Sequence, residues 1–387
     1  NTVDMNLSFM NPIVNFEHNG SNATYNSMIH IAGDVYALAY EGASNKATLS
    51  TIKITSAGSV TNSSFVATEE HDSNNGEHNE LIHLSGDKYV LFYKGASGDG
   101  FAKVFKITAN GETIEQLSSA LEFAPSDYYE GSAVKMTDST LVLAHTGSSY
   151  DGYIKTFKVA SDGSTITKIQ DKEHDTSYGQ YNSLVRADED TYVLSYNGSG
   201  SDGRVQTFTI PPDGSSITEV ANAAFADNNS SYYNSLVQVD HDTYLNAGYS
   251  YNTSGISGYY GVLETFTIPT DGSTITSVAN LKYTDANFGD HNKLLKLNAN
   301  EYILAYRGKD FDGYIEMYTV SSDGATITKK WQNEFDTQQN AWNDLVRVDK
   351  NTIALAYAGS GDDGYIQTFD IGTSDNAGPA ITANSIN

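Results

Sequence analysis

Hydrophobic and polar residues alternate along almost the whole chain, in short runs rich in Val, Ile, Thr, Tyr and Phe. Each run is bounded by Gly, Asp, Ser or Asn, which is typical of β-strands joined by hairpin turns. No stretch of helical length shows the 3.6-residue periodicity of an amphipathic helix. The pattern therefore predicts an all-β protein.

The predicted strands recur as a repeating unit. Seven copies begin with a two-residue signature before an apolar run, as in "TYNSMIHI", "QYNSLVRA" and "AWNDLVRV". Successive copies are separated by 53, 51, 52, 52, 58 and 51 residues, and the long step contains an insertion at 248–261. Four strands in roughly 50 residues is the arithmetic of a propeller blade. We therefore predict a seven-bladed β-propeller with four antiparallel strands per blade.

The two ends of the chain complement each other. The last copy stops after its third strand, "GYIQTFDIG", whereas the segment 7–20 matches the fourth strands of other copies. We expect this N-terminal segment to complete the last blade and close the ring, which removes exposed sheet edges. The propeller would then span 1–372. The remainder, 373–387, is similar to the starts of β-sandwich modules in large bacterial or archaeal surface proteins, and we interpret it as a linker towards a further domain.

The composition restricts the partners and the compartment. A formal net charge of −26 argues against nucleic acid, whose phosphates require Lys and Arg. There are no cysteines, so neither disulfides nor thiol chemistry is available. No apolar run approaches the ~18 residues needed to insert into a membrane. The abundance of Asn, Ser, Thr, Gly and Tyr, with a start at Asn1, suggests an extracellular or cell-surface segment of a longer polypeptide or assembly.

The repeated signature predicts a ring of side chains at the mouth of the central channel, where the innermost strands begin. Its first members are Tyr25, His78, Tyr129, Tyr181, Tyr233, His291 and Trp342, and its second members are Asn26, Asn79, Glu130, Asn182, Asn234, Asn292 and Asn343. Asn also recurs at turns for structural reasons. The functional interpretation is that aromatic faces beside amide groups bind sugars. Blade three departs from the pattern with Glu130, Gly131 and His145.

Two further positions repeat. About four residues beyond the Asn, the series His30, His83, Lys135, Arg186, Gln238, Lys296 and Arg347 either binds an anion or pairs with nearby acids such as Asp188 and Asp349. Exposed pairs of that kind contribute only ~0–1 kcal/mol each. The loop residues Asp99, Asp151, Asp202, Asp312 and Asp363 each precede a Gly. One carboxylate per blade is a weak signal for calcium, which needs ~6–8 oxygens, so no cofactor is predicted.

The turn "SDGSTIT" and its variants resemble the Asp-box turn of sialidase-like propellers, although Gly follows Asp directly and Ile-Thr replaces the aromatic ending. The resemblance implies hairpin geometry, and because of these departures no sialidase activity is inferred from it. The sequence contains no Gly-X-Ser-X-Gly motif of serine hydrolases, no Walker loop, no His-Glu-X-X-His motif and no Cys-based metal site. Seven-bladed polysaccharide lyases such as ulvan lyases use His, Tyr and a cation. A similar set here would be His78, Tyr129, His145 and Lys135, together with Tyr93.

These observations favour a recognition or adhesion module that binds glycans or a surface protein at the channel mouth. A polysaccharide lyase or glycoside hydrolase centred on blades two and three is the alternative, and a structural unit of a surface layer or filament is a third. The close similarity of the repeats favours binding or scaffolding over catalysis. Fold alone does not decide among them.

Overall fold

A computed structural model describes residues 10–225, 231–252, 258–284 and 288–372. Its regular structure consists of strands arranged in seven antiparallel sheets, together with single 3-10 turns and no α-helix among the described residues. The predicted seven-bladed β-propeller is confirmed. No helix in the described part of the chain is long and apolar enough to span a membrane.

Each blade runs outward from the central channel. Blade 1 contains β2 (Thr24–Ala32), β3 (Val35–Glu41), β4 (Ala47–Lys53) and β5 (Ala67–Asp72). Blade 2 contains β6 (Glu77–Ser85), β7 (Lys88–Lys94), β8 (Gly100–Ile107), β9 (Ile114–Gln116) and β10 (Leu121–Ala124). Blade 3 contains β11 (Tyr129–Lys135), β12 (Thr140–Thr146), β13 (Gly152–Val159) and β14 (Ile166–Asp175). Blade 2 differs because its outer strand is divided into β9 and β10, which both pair with β8.

The remaining blades follow the same order. Blade 4 contains β15 (Gln180–Arg186), β16 (Thr191–Asn197), β17 (Gly203–Thr209) and β18 (Thr218–Ala224). Blade 5 contains β19 (Tyr232–Gln238), β20 (Thr243–Asn252), β21 (Gly258–Thr267) and β22 (Thr276–Lys282). Blade 6 contains β23 (Asp290–Lys296), β24 (Glu301–Arg307), β25 (Gly313–Val320) and β26 (Ile327–Asp336). Blade 7 contains β27 (Ala341–Arg347), β28 (Thr352–Ala358), β29 (Gly364–Asp370) and β1 (Asn11–Asn19).

The ring closes within blade 7, as the sequence predicts. Strand β1 pairs antiparallel with β29, with Asn15 opposite Gln367 and Phe16 opposite Ile366. The N-terminal strand β1 thus serves as the outer strand of blade 7, so the edge of β29 is paired. Residues 1–9 and the predicted linker 373–387 lie outside the described residues.

The hydrophobic core lies between blades. Strands β12 and β13 contribute Leu143 and Phe157 to a cluster with Phe92 and Val104 of blade 2, and equivalent clusters join the other neighbouring pairs. Because both faces of each blade are covered by neighbours, the second strands are buried at nearly every position. Their continuous apolar character follows from this position.

The Asp-Gly turns of blades 4, 5 and 6 join each of these blades to the preceding one. In "PTDGSTIT" the carbonyl of Gly272 accepts a hydrogen bond from Thr207 Oγ1 of blade 4 at 2.7 Å, and Gly272 has a φ of +68°. A side chain there would lie 3.1 Å from Thr207 Cβ, so both the backbone conformation and the close approach favour glycine. The same contact recurs between Thr156 and Gly214 at 2.8 Å.

Candidate functional site

The predicted ring forms around the channel mouth, at a bulge in every innermost strand. In β15, for example, the pairing with β16 shifts between Gln180 and Ser183, and the intervening Tyr181 has a φ of 56°. Bulky residues rarely adopt this left-handed conformation, and bulges typically redirect side chains at the rims of barrels and near sites. The seven left-handed positions are Tyr25, His78, Glu130, Tyr181, Tyr233, His291 and Trp342.

These positions correct the predicted register of blade three. Glu130, and not Tyr129, occupies the left-handed position, and Gly131 takes the place of the Asn. The misassignment arose because "DYYEGS" offers two adjacent tyrosines. A Cβ on Gly131 would lie 1.9 Å from the hydroxyl of Tyr128. Tyr128 therefore fills the space that an Asn side chain takes in the other blades.

Six of the seven ring side chains are aromatic and contact one another around the mouth. The ring centroid of Tyr25 lies 4.4 Å from that of His78 and 5.0 Å from that of Trp342. The centroids of His291 and Trp342 lie 5.2 Å apart. Tyr233 lies 4.5 Å from both His291 and Tyr181. Glu130 interrupts this aromatic series between His78 and Tyr181. The ring surrounds a cavity of about 180 Å³.

The asparagines of the signature have a structural role. Asn79 Nδ2 donates to the carbonyl of Gly76 at 2.7 Å and to that of Tyr25 in the preceding blade at 3.2 Å. Asn234 makes the equivalent bonds to Ser231 and Tyr181, at 2.8 and 3.2 Å. These amides hold neighbouring blades together at the bulge. The aromatic residues that precede the asparagines are therefore the half-exposed side chains that face the mouth.

Glu130 is the acidic member of the mouth ring. Its Oε2 accepts a hydrogen bond from the backbone N–H of Tyr181 at 2.6 Å. Burial raises the pKa of Glu130 to about 7, against the opposing effect of hydrogen bonds from Tyr181 and Thr146. A carboxyl group with this pKa exchanges its proton near neutrality, which is the property of a general acid or base.

The two mouth histidines are neutral and share one orientation. His78 Nδ1 accepts from the N–H of Glu130 at 3.2 Å, and His291 Nδ1 accepts from the N–H of Trp342 at 3.3 Å. Burial lowers the pKa of His78 to about 3 and that of His291 to about 4. Since Nδ1 accepts, the proton lies on Nε2 in both rings, and each imidazole retains an N–H donor.

A second polar level follows the ring inside the channel, and the sequence interpretation did not single it out. Four blades place Ser at this position, and each hydroxyl accepts a bond from the next blade, as Ser183 does from Leu236 at 2.9 Å. The other three blades have Glu80, Lys293 and Asp344. Lys293 Nζ contacts Asp344 Oδ1 at 2.6 Å, and although burial opposes its charge, Asp344 and Glu80 raise its pKa. Only the assembled ring shows that these three residues share one channel.

A tyrosine path leads from the mouth to the blade 5 insertion, where β20 and β21 extend to ten residues each. Tyr181 lies 5.4 Å from Tyr232, which lies 6.0 Å from Tyr259. Tyr259 in turn lies 5.0 Å from Tyr249 and 4.8 Å from the exposed Tyr251. The mouth is therefore continuous with an aromatic surface on one side of the propeller.

The repeated cationic position is structural. Arg186 donates to the carbonyls of Asp188 and Glu189 in its own turn and to Met136 of the preceding blade, at 2.6, 2.6 and 2.7 Å. Arg347 repeats this pattern. For the two arginines the expected pairing with the carboxylates of Asp188 and Asp349 is wrong, because backbone carbonyls accept these bonds. Lys135 does pair with an acid, Asp138, at 2.7 Å.

The lyase set does not converge. His78 and Tyr129 lie together, with ring centroids 5.3 Å apart. Lys135 lies at the other end of β11, six residues from Tyr129, or about 20 Å along an extended strand. His145 is 1% exposed and lies inside the blade, stacked 5.6 Å from Tyr153. The set of His78, Tyr129, His145 and Lys135 therefore cannot contact one sugar.

The acidic loop residues close their loops. Asp99, Asp151 and Asp312 follow the 3-10 turns Ala96–Gly98, Ser148–Tyr150 and Lys309–Phe311, and their N–H groups donate to the first residues of those turns. Within the described ranges, no group of three or more His, Asp or Glu side chains is arranged to hold a metal ion. The weak calcium signal thus gains no support from these positions.

No protein-family model matches the chain, and no curated protein matches it. Among solved structures, it is similar to a candidate 6-phosphogluconolactonase of Bacteroides fragilis, with 14% identity, a TM-score of 0.59 and coverage of 89% of this chain and 94% of that chain. It is also similar to the Pseudomonas aeruginosa periplasmic gluconolactonase PpgL, with 12% identity, a TM-score of 0.61 and coverage of 90% of this chain and 96% of that chain. A third similar structure is Saccharomyces cerevisiae Sqt1, with 10% identity, a TM-score of 0.54 and coverage of 92% of this chain and 98% of that chain. At these identities the likeness shows a common propeller fold.

Proposed function

We propose that this protein is an extracellular or cell-surface recognition module that binds carbohydrate at the channel mouth. The observation that carries the proposal is the near-continuous ring of half-exposed aromatic side chains around a cavity of about 180 Å³. Aromatic rings offer flat apolar faces and, in Tyr and Trp, a polar group at the edge. This combination suits a sugar, whose C–H face stacks on a ring while its hydroxyls need hydrogen-bond partners.

The polar groups of the mouth support the same ligand class. The Nε2–H groups of His78 and His291 are donors, and the Glu130 carboxyl is an acceptor when ionised. The mouth ring itself has no cationic side chain, so the primary ligand is expected to be a neutral sugar or glycan segment. The tyrosine path to Tyr251 gives room for further units of an extended chain.

A polysaccharide panel tests this proposal. Retention of the protein on immobilised neutral and acidic glycans is measured together with the appearance of unsaturated uronate or new reducing ends. Retention without product is expected, and Tyr181→Ala and Trp342→Ala should weaken retention at least tenfold. Trp331→Phe, on the outer strand β26, is the matched aromatic control and should retain normal binding. Failure of the protein to bind any glycan would contradict the proposal.

Catalysis at the mouth is the second candidate, because Glu130 has a pKa of about 7 beside the neutral His78. Because two structural neighbours are described as lactonases, hydrolysis of sugar lactones should be assayed as well. If product forms, Glu130→Gln should abolish it. Product formation that persists in Glu130→Gln would rule out this residue as the acid or base.

A further inference from the structure

The face of the propeller that carries the channel mouth also carries exposed aromatic side chains outside the mouth. Strand β12 ends beside the start of β11, and β14 ends beside the start of β13, so the loops that follow β12 and β14 lie at the mouth end of the blade. Tyr150 lies in the first of these loops and Tyr178 in the second. Together with Tyr251 at the end of β20, they are the only exposed tyrosines among the described residues. All three therefore lie on the mouth side.

Tyr150 occupies a position that seldom holds a bulky side chain. It ends the 3-10 turn of blade 3 and has a φ of +69°. In three other blades the equivalent left-handed residue is one that adopts this conformation more readily, namely Asn45, Gly98 or Asp362. Blade 6 has Phe311, whose ring packs 5.3 Å from the guanidinium of Arg307. Tyr150 is 52% exposed, so burial offsets little of its strain and the packing of the propeller does not explain it.

Tyr150 and Tyr178 form an exposed aromatic pair, the Tyr150–Tyr178 pair. Their ring centroids lie 6.1 Å apart and their planes are within 15° of parallel, an offset arrangement that aromatic rings favour. The N–H of Gly179 donates to the carbonyl of Tyr150 at 2.8 Å, and Asp175 Oδ1 accepts from the N–H of Tyr178 at 3.1 Å. Because these bonds hold the two loops in place, a ligand that binds the pair loses little affinity to loop ordering.

The Tyr150–Tyr178 pair lies on the other side of Tyr181 from the tyrosine path that ends at Tyr251. Tyr178 precedes Tyr181 by three residues, so their Cα atoms are at most about 11 Å apart. The path leaves Tyr181 in the opposite direction, through Tyr232 of blade 5. Exposed tyrosines thus flank the mouth on two sides, and Tyr181 lies between them.

We infer that the Tyr150–Tyr178 pair and the tyrosine path are outer binding sites for one extended neutral polysaccharide of the β-1,4-linked glucose type, whose internal segment crosses the mouth at Tyr181. This inference rests on the proposed function. A chain of this type carries C–H groups on both faces of each sugar, which suits a series of tyrosine faces, while the phenol hydroxyls reach the sugar hydroxyls. The formal net charge of −26 disfavours an acidic chain.

Titration calorimetry with cellobiose and cellohexaose tests the inference. Cellohexaose reaches beyond the mouth and is expected to bind at least tenfold more tightly than cellobiose. Tyr150→Asn introduces the residue that blade 1 has at this position, so it should fold, and Tyr178→Ala changes an exposed side chain. Each should weaken cellohexaose binding about fivefold, the loss expected for one aromatic contact, and leave cellobiose binding unchanged.

Two further variants serve as controls. Tyr150→Phe keeps the aromatic ring and should bind cellohexaose within twofold of the native protein, whereas Tyr181→Ala at the mouth should weaken both sugars. Equal affinities for the two sugars, unchanged cellohexaose binding by Tyr150→Asn and Tyr178→Ala, or no binding at millimolar cellohexaose would overturn the inference. If another glycan is then still retained through Tyr181 and Trp342, the proposed function stands, and failure to bind any glycan would contradict both.

Discussion

At the residue scale, the site depends on seven side chains that the backbone holds in a left-handed conformation. For a non-glycine residue this conformation costs about 1–2 kcal/mol, and it persists because the Asn amides and the neighbouring blades fix the bulge. The aromatic–Asn signature was readable from the sequence in six blades. Blade three was misaligned by one residue, because the compensating pair Tyr128 and Gly131 becomes apparent only when both share one space.

Buried histidines give the protein a pH dependence that can be tested at one residue. His18, His71 and His174 lie at the ends of the outer strands of blades 7, 1 and 3 and pack against tyrosines of the next blade, at a position where blades 2, 4 and 6 have Phe. Burial lowers the pKa of His174 to about 4. Below the unfolded-state pKa of about 6.5, the unfolded chain binds a proton that the folded protein does not. The free energy of unfolding therefore falls as the pH decreases from 6.5 towards 4.

We predict that His174→Phe removes this acid sensitivity at one site. At pH 5 the variant should be about 2 kcal/mol more stable, relative to the native protein, than it is at pH 7.5. Glu80 and Glu130, whose pKa values burial raises to about 7, act in the opposite direction but are common to both proteins. Denaturant unfolding at the two pH values measures the difference. A stability difference independent of pH would contradict the assignment of a neutral buried His174.

At the element scale, alternation and turn residues were sufficient to place the strands. The insertion in the fifth repeat was also readable, and it extends β20 and β21. What the sequence does not show is how one blade meets the next, because those contacts join residues about 50 to 65 positions apart, such as Thr207 and Gly272. The cationic series illustrates this, since Arg186 and Arg347 each donate to one carbonyl group of the preceding blade as well as to their own turns.

The turn contact itself is testable. Thr207→Val removes the hydroxyl that donates to Gly272 at 2.7 Å and accepts from the N–H of Ala221 at 3.0 Å. Two buried backbone groups then lose a partner, and we expect a loss of about 1–3 kcal/mol in the free energy of unfolding. Thr209→Val, half-buried on the same strand, is the control and should cost less. Equal effects of the two changes would show that the turn contact adds little.

At the scale of the whole molecule, the ring depends on β1 as the outer strand of blade 7. We predict that removal of residues 1–20 exposes the edge of β29, lowers the melting temperature and promotes association between molecules. Removal of residues 1–9 alone leaves β1 intact and serves as the control. Thermal unfolding and sedimentation measure both effects. A monomeric truncated protein with an unchanged melting temperature would show that ring closure is not needed for stability.

The central claim is that the aromatic ring at the channel mouth binds carbohydrate, and tryptophan fluorescence tests it most directly. The chain has two tryptophans, so Trp331→Phe leaves Trp342 in the mouth as the single reporter. Titration with the glycan that retains the protein should change the Trp342 emission saturably, and Tyr181→Ala in the same background should shift the curve at least tenfold to weaker binding. Glycan binding that leaves the Trp342 emission unchanged would place the carbohydrate elsewhere and contradict the claim.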